Sequence, residues 1–246
     1  MPARELEPHF LEPLLGIVFD LDGTLVLSHH DFGRMRAEVI RLAELSGVPS
    51  GRLSVQDPIH RLVETAREEL RNSGAPDGVF YRFEAEYQRR IDAIELEALP
   101  RTVARDGAAN LLKILNGRGF RLGVLTRSSE EFARKALVQA GLDSYFDYLR
   151  SRSSPGPAKP SPEALLLLLK EMGVPLDRAL FVGDHLLDAE CATRARVRFY
   201  AVLPDPSEST ATTMSPDRLL AAGASAVARN LSELARQLNV ATAPAS

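Results

Sequence analysis

The chain is poor in cysteine, in lysine and in long apolar runs. Among its 246 residues a single cysteine, Cys191, occurs, and this excludes an intrachain disulfide. No stretch reaches the ~18 apolar residues that a membrane-spanning helix needs, and no secretory signal pattern is visible at the start of the sequence. We therefore expect a cytoplasmic protein.

An excess of charge of either sign is also lacking. The 30 basic and 33 acidic residues leave a formal net charge of -3 at pH 7, which gives no support for a nucleic-acid partner or an anionic membrane surface. With 45% hydrophobic and 26% charged residues, the composition is typical of a soluble globular protein. Lysine is scarce among the basic residues, and the four lysines are Lys113, Lys135, Lys159 and Lys170.

The most informative stretch is residues 16–26, GIVFDLDGTLV. The apolar run over residues 14–19 is typical of a strand buried on both faces of a parallel sheet. Asp20 and Asp22 follow two residues apart, so an extended chain places both carboxylates on one side. Two buried acids need a partner, and their hard oxygens suit Mg²⁺. A strand that ends in an acidic turn and binds no metal remains an alternative interpretation of this stretch. A calcium-binding loop is disfavoured, because Gly23 comes too early after Asp20.

Residues 28–102 carry helical periodicity and no strand signal. Three amphipathic stripes cover residues 31–46, 57–72 and 78–96. The pattern predicts a compact helical domain over residues 28–102, inserted into a second domain formed by residues 1–27 and 103–246. We expect the insert to act as a mobile lid that excludes bulk water.

Helix and strand patterns alternate after the insert. Apolar strand segments cover residues 120–126, 146–149, 179–182 and 199–203. Ser128 and Glu131 form a capping-box pattern, which predicts that a helix begins at Ser128. Strands separated by helices in this way predict an α/β fold with a doubly wound, mostly parallel, Rossmann-like sheet.

Ligand sites in such sheets lie beyond the carboxyl ends of the strands. The polar candidates at or near these ends are Asp20, Asp22, Thr126, Lys159, Asp184 and Asp188. Taken singly, Asp184 is also a good helix cap, Thr126 a simple helix-entry residue and Lys159 an ordinary surface lysine. Their order along the chain, at successive strand ends, predicts an active site.

These residues resemble the four motifs of the haloacid dehalogenase-like hydrolase superfamily. In chain order the motifs are Asp20-Leu21-Asp22-Gly23-Thr24, the strand-end Thr126, Lys159 in Lys-Pro-Ser-Pro, and Gly183-Asp184 with Asp188. The resemblance spans residues 14–240, and the helical insert occupies the position of the family's cap. It implies a Mg²⁺-dependent phosphatase that hydrolyses a small phosphate monoester through an aspartyl-phosphate.

The resemblance also implies a role for each site residue. Asp20 is the expected nucleophile, and Asp22 is the expected general acid and then base. Asp20, the backbone carbonyl of Asp22, and Asp184 are expected to hold Mg²⁺. Thr126 is expected to donate to a phosphoryl oxygen and Lys159 to neutralise the transferring group. Asp188 is expected to orient Lys159 or a metal-bound water.

Several residues depart from the family's usual pattern. Arg127 stands where asparagine is frequent, and it either binds phosphate or faces the cap. His185 stands where a small hydroxyl residue is common, and it either contacts substrate or faces solvent. Arg196 replaces a frequent glycine, which affects a turn. His29 and His30 either line the entrance to the site or belong to a solvated hinge.

Other functions stay open at this point. A dehalogenase uses the nucleophile alone, and Asp22 argues against that activity. A sugar phosphomutase would share the core and differ in its cap contacts. A non-catalytic binding protein would retain only the fold, and the complete set of carboxylates argues against it. We expect a small phosphorylated metabolite as the partner, whose identity the sequence leaves open together with the oligomeric state.

Overall fold

The computed structural model describes residues 14–206 and 214–239. The chain divides into two compact units, of which one runs to Ser28 and resumes at Thr102, while the other comprises His29–Arg101. Within the described ranges, no helix combines the length and the apolar character that crossing a membrane requires.

The first unit is built on a parallel sheet. The strands are β1 (Gly16–Phe19), β2 (Val26–Leu27), β3 (Val103–Ala104), β4 (Arg121–Leu125), β5 (Tyr148–Arg150), β6 (Ala179–Gly183), β7 (Arg198–Val202) and β8 (Ala226–Ala228). Six of them form one sheet in the order β5-β4-β1-β6-β7-β8, and every neighbouring pair is parallel. β2 and β3 pair separately as an antiparallel ladder. The predicted Rossmann-like α/β sheet is confirmed.

Helices connect the strands of the sheet and form the second unit. They are α1 (Phe32–Leu45), α2 (Ile59–Asn72), α3 (Asp77–Ala98), α4 (Ala108–Gly117), α5 (Glu130–Gln139), α6 (Pro162–Met172), α7 (Leu186–Ala195), α8 (Pro216–Ala221) and α9 (Leu231–Gln237). Helices α4 to α9 belong to the first unit and α1 to α3 to the second. The helical periodicity of residues 31–96 thus correctly predicted that this segment is helical.

β1 lies at the centre of the sheet, between β4 and β6. Ile17, Val18 and Phe19 are fully buried, as is typical of a central strand in a parallel sheet. On one face, Val18 belongs to a core that includes Leu168 of α6 and Ala192 of α7. A strand held from both faces and both edges gives the residue that follows it, Asp20, a fixed position.

The second unit packs around its own apolar core. Val39 of α1, Leu62 and Ala66 of α2, and Phe83 and Ile91 of α3 are all buried in one cluster. Each helix contributes one stripe of its surface, as the periodic sequence pattern predicted.

The predicted start of α5 is wrong by two residues. The helix begins at Glu130, and its N-cap is Ser129, whose Oγ accepts a hydrogen bond from the Phe132 N–H at 3.3 Å. Ser128 is thereby left outside the cap. Two consecutive serines offer the same capping chemistry, so the local pattern gives no basis for choosing between them.

Candidate active site

Three neighbouring strands end in the polar residues that the sequence singled out. Asp20 follows β1, Thr126 follows β4 and Asp184 follows β6. In register, Phe19 of β1 lies opposite Val124 of β4 and Val182 of β6. The residues beyond these strands are therefore brought together at the carboxyl edge of the sheet, where α/β proteins bind ligands.

A buried cluster of three carboxylates lies at this edge. Asp20, Asp184 and Asp188 are 7%, 4% and 1% exposed, and one oxygen of each lies within 4.8 Å of the others. The Lys159 ammonium, 3% exposed, donates to Asp20 Oδ1 and to Asp188 Oδ1, the latter at 2.7 Å. The lysine that looked like an ordinary surface residue is thus buried between two acids.

The electrostatics of the cluster favour a retained positive charge on Lys159. Burial lowers the pKa of the ammonium, but the Asp188 and Asp20 carboxylates outweigh burial and raise this pKa above its ordinary value. The pKa of Asp20 is raised to about 7, because burial and, to a smaller extent, the carboxylates of Asp188 and Asp22 together outweigh the opposing effect of Lys159. Another cation beside Asp20 would favour its ionised form and lower the pKa again.

The donor set of this cluster fits a hard divalent cation. Carboxylate oxygens are the ligands that Mg²⁺ prefers, and three of them converge here. Thr24 Oγ1 donates to Asp184 Oδ1 at 2.9 Å and fixes its orientation. Gly23 has φ +83°, and a Cβ atom there would lie 2.5 Å from Asp184 Oδ2. Glycine is required at position 23 both by the turn and by the carboxylate.

Asp188 is held from both of its oxygens. Oδ1 accepts from Lys159, and Oδ2 accepts from the His185 backbone N–H at 3.1 Å, as half of a capping box at the start of α7. His185 Nδ1 accepts from the Leu187 N–H at 3.2 Å, and burial lowers the pKa of this imidazole. His185 thus caps α7, the helix that carries Asp188. Gly183 leaves room for the same carboxylate, because a Cβ atom there would lie 2.5 Å from Asp188 Oδ2.

The carboxylate of Asp22 is not one of the three in this cluster and is held by hydroxyl groups instead. It is half-buried, and Oδ2 accepts from Ser128 Oγ at 2.7 Å and from Thr126 Oγ1 at 3.3 Å. The Ser128 N–H in turn donates to Thr126 Oγ1 at 3.0 Å. The two aspartates of the first motif thus have different surroundings, because Asp20 contacts an ammonium and Asp22 contacts two hydroxyl groups.

Sequence reasoning missed two polar contacts of site residues and one contact of Arg127, whose expected binding of phosphate stays a prediction. Thr24 orients Asp184, and Ser128 holds Asp22. A guanidinium N–H of Arg127 donates to the backbone carbonyl of Lys159, so Arg127 supports the lysine loop. Thr24 lies within the first motif and Ser128 lies two residues after Thr126, so a hydroxyl side chain in or beside a motif is the local signal that could have identified them.

Replacing Ser128 with alanine is expected to lower kcat about tenfold, since Asp22 loses a hydrogen bond that orients its carboxylate. Ser129→Ala is the matched control, because it removes the cap of α5 and costs about 1 kcal/mol of stability. Steady-state kinetics and thermal melts separate the two effects. Equal kcat values in the two variants would contradict a role for Ser128 beside Asp22.

Comparisons with known proteins agree with this geometry. Residues 14–196 match the model of the haloacid dehalogenase-like hydrolase family. A phosphoglycolate phosphatase from Pseudomonas savastanoi pv. phaseolicola is 32% identical over 191 residues, which are 76% of this chain and 68% of that protein.

Solved structures show the same fold. A hydrolase from Pseudomonas syringae has a TM-score of 0.64 at 21% identity and covers 93% of this chain and 99% of its own. A putative β-phosphoglucomutase from Thermotoga maritima has a TM-score of 0.54 at 22% identity, with 92% and 99% covered.

This chain belongs to the haloacid dehalogenase-like hydrolase family. The family match and the curated relatives together make it a phosphoric monoester hydrolase.

Proposed function

We propose that this enzyme is a Mg²⁺-dependent phosphatase that hydrolyses a small phosphate monoester through an aspartyl-phosphate on Asp20. The first compact unit is its catalytic domain and the helical unit its cap. The observation that carries the proposal is the buried arrangement in which Lys159 bridges Asp20 and Asp188 while Asp22 is held separately.

The two aspartates divide the chemistry. An Asp20 oxygen attacks phosphorus, the bond from phosphorus to the ester oxygen breaks, and Asp22 gives its proton to the leaving oxygen. Asp22 then takes a proton from water as the water attacks phosphorus. The bond from phosphorus to Asp20 breaks, phosphate leaves, and Asp20 is again a carboxylate. Asp22 ends the cycle protonated, as it began.

The remaining site residues neutralise and position charge. The Lys159 ammonium, already at Asp20, faces the oxygens of the transferring group. The Thr126 hydroxyl, which donates to Asp22 in the structure, turns to donate its one proton to a phosphoryl oxygen when the substrate is bound. Asp20, Asp184 and the backbone carbonyl of Asp22 would hold Mg²⁺, which supplies positive charge to the phosphoryl oxygens. Asp188 keeps Lys159 in place. Positioning and charge neutralisation are the main requirements of phosphoryl transfer.

Removing divalent metal is expected to abolish hydrolysis of p-nitrophenyl phosphate, and Mg²⁺ is expected to restore it, because three buried carboxylates need a counter-charge. Asp184→Asn should require far more Mg²⁺ for half-maximal rate. Glu190→Gln on the exposed side of α7 is the control, since it changes a carboxylate outside the cluster. Full activity after EDTA treatment would rule out the metal requirement.

The first substrate to test is 2-phosphoglycolate, because curated relatives are phosphoglycolate phosphatases. A panel of phosphorylated metabolites, which includes sugar phosphates and nucleotides, would show by kcat/KM whether the enzyme prefers 2-phosphoglycolate to the other esters. Coupled assays on hexose 1-phosphates test the phosphomutase alternative, in which the phosphoryl group returns to the sugar and little free phosphate appears.

A further inference from the structure

Arg105 is a buried arginine that lies outside the four motifs. It follows β3 directly and belongs to the first unit, and its side chain is only 5% exposed. Its backbone N–H donates to the Leu25 carbonyl at 2.9 Å, which continues the β2–β3 ladder by one residue. A buried guanidinium is costly unless its N–H groups find acceptors.

The guanidinium joins two separate segments at the carboxyl edge of the sheet. One terminal nitrogen donates to the carbonyl of Gly23, within the first motif, and the other donates to the carbonyl of Leu203, which follows β7. Both acceptors are main-chain atoms, so these bonds fix the backbone of two loops. The planar fork of the guanidinium sets the direction of both bonds at once, which a lysine ammonium does not do.

The loop that Arg105 contacts is compact and has a demanding geometry. The N–H groups of Thr24, Leu25 and Val26 all donate to the carbonyl of Leu21, at 3.3, 2.8 and 3.0 Å, and the Gly23 N–H donates to the Val26 carbonyl at 2.8 Å. The N–H groups of residues 23–26 thus donate to carbonyls within the loop, while the Gly23 carbonyl accepts from Arg105. The Gly23 carbonyl belongs to the peptide that joins Gly23 to Thr24, so its orientation constrains the backbone of Thr24 directly and that of Asp22 through the single residue between them.

We propose that Arg105 is a positioning residue, whose guanidinium holds the Gly23 peptide against the end of β7 and thereby orients Asp22 and Thr24. Thr24 in turn orients Asp184 through its 2.9 Å hydrogen bond. Loss of the guanidinium releases a buried carbonyl and widens the range of loop conformations, so fewer molecules hold Asp22 in the reactive geometry. The kinetic part of this inference rests on the proposed phosphatase function.

Arg121 provides a matched control. Its guanidinium also donates to two backbone carbonyls, those of Met172 at 2.7 Å and Gly173 at 2.9 Å. It begins β4, at the amino end of the strand, whereas the candidate site lies beyond the carboxyl ends. Arg121 is exposed and Arg105 buried, so melting temperatures are measured beside the activities.

The experiment compares Arg105→Lys and Arg105→Ala with Arg121→Lys and Arg121→Ala. With p-nitrophenyl phosphate and Mg²⁺, we expect kcat to fall about tenfold or more in Arg105→Lys, further in Arg105→Ala, and less than twofold in both Arg121 variants. KM should change less than kcat, because the loop positions Asp22, which must still take the proton from water when the phosphoenzyme formed from this ester is hydrolysed. Amide hydrogen exchange over residues 20–26 should be about tenfold faster in the Arg105 variants alone.

The outcomes separate positioning from general stability. Unchanged kcat and unchanged exchange over residues 20–26 in Arg105→Lys would overturn the proposal, and so would loss of folding in this variant. If Arg105→Ala fails to fold, Arg105→Lys decides. If the wild-type enzyme releases no phosphate from any tested ester, the proposed function fails, while the exchange measurement still tests the role of Arg105 in holding the loop.

Discussion

Replacing Asp20 with asparagine is expected to abolish turnover, by about 10⁴-fold or more, and to prevent any covalent phosphoenzyme. The amide has nearly the size of the carboxylate, so the buried position at the end of β1 is preserved. What is lost is the nucleophilic oxygen. Rapid acid quenching of the enzyme with a ³²P-labelled ester, followed by gel analysis, measures the phosphoenzyme directly.

Asp22→Asn is the matched comparison, because it changes the other carboxylate of the same loop. It should slow both the formation and the hydrolysis of the phosphoenzyme while leaving Mg²⁺ binding largely intact. Substrates with good leaving groups should suffer less in the first step, because they need no proton donor. Phosphate release at the wild-type rate from Asp20→Asn would refute the covalent mechanism.

Lys159→Ala is expected to lower kcat by ~10²-fold or more, since removal of a positioned charge at the reacting group commonly costs that much. The other three lysines are the controls, and their alanine variants should stay within about twofold. Lys135, for example, forms an exposed i,i+4 pair with Glu131 at 2.7 Å, a kind of contact that contributes little.

Stability must be measured beside activity in this series. Removing Lys159 leaves the Asp20 and Asp188 carboxylates buried together without their shared cation, which destabilises the fold. Mg²⁺ should restore part of the melting temperature but not kcat. Near-normal turnover in a folded Lys159→Ala variant would remove this residue from the proposed mechanism.

Much of this architecture could be predicted from the sequence, because the helices and strands have recognisable apolar patterns and the site residues lie at the ends of strands. Apolar runs such as residues 14–19 predict buried strands, and the alternation with helices predicts that the strands are parallel, although not which strands are neighbours. Because the carboxyl ends of parallel strands share one edge of the sheet, Asp20, Thr126 and Asp184 are expected at that edge. These predictions depend on local pattern and on strand direction, both of which can be inferred from one sequence.

The contacts among side chains could not be predicted in this way. Ser128 donates to Asp22 and Thr24 donates to Asp184 across sequence separations of 106 and 160 residues. The residues around Ser128 and Thr24 in the sequence give no indication of these distant partners. The strands β2 and β3 were missed because two residues are too few for an alternating pattern, and β8 was missed as well. Arg127 could not be connected with the Lys159 carbonyl before the loop geometry was known.

The central position of β1 has a consequence for how the enzyme folds and for how it loses activity when it unfolds. Its partners β4 and β6 come from distant parts of the chain, and the site contacts of Asp20, Asp22 and Thr24 close loops of 139, 104 and 160 residues. Such long-range pairings make folding slow and cooperative. Among the described residues, no single segment carries the complete site, so catalytic competence appears only when the strands that supply it have assembled.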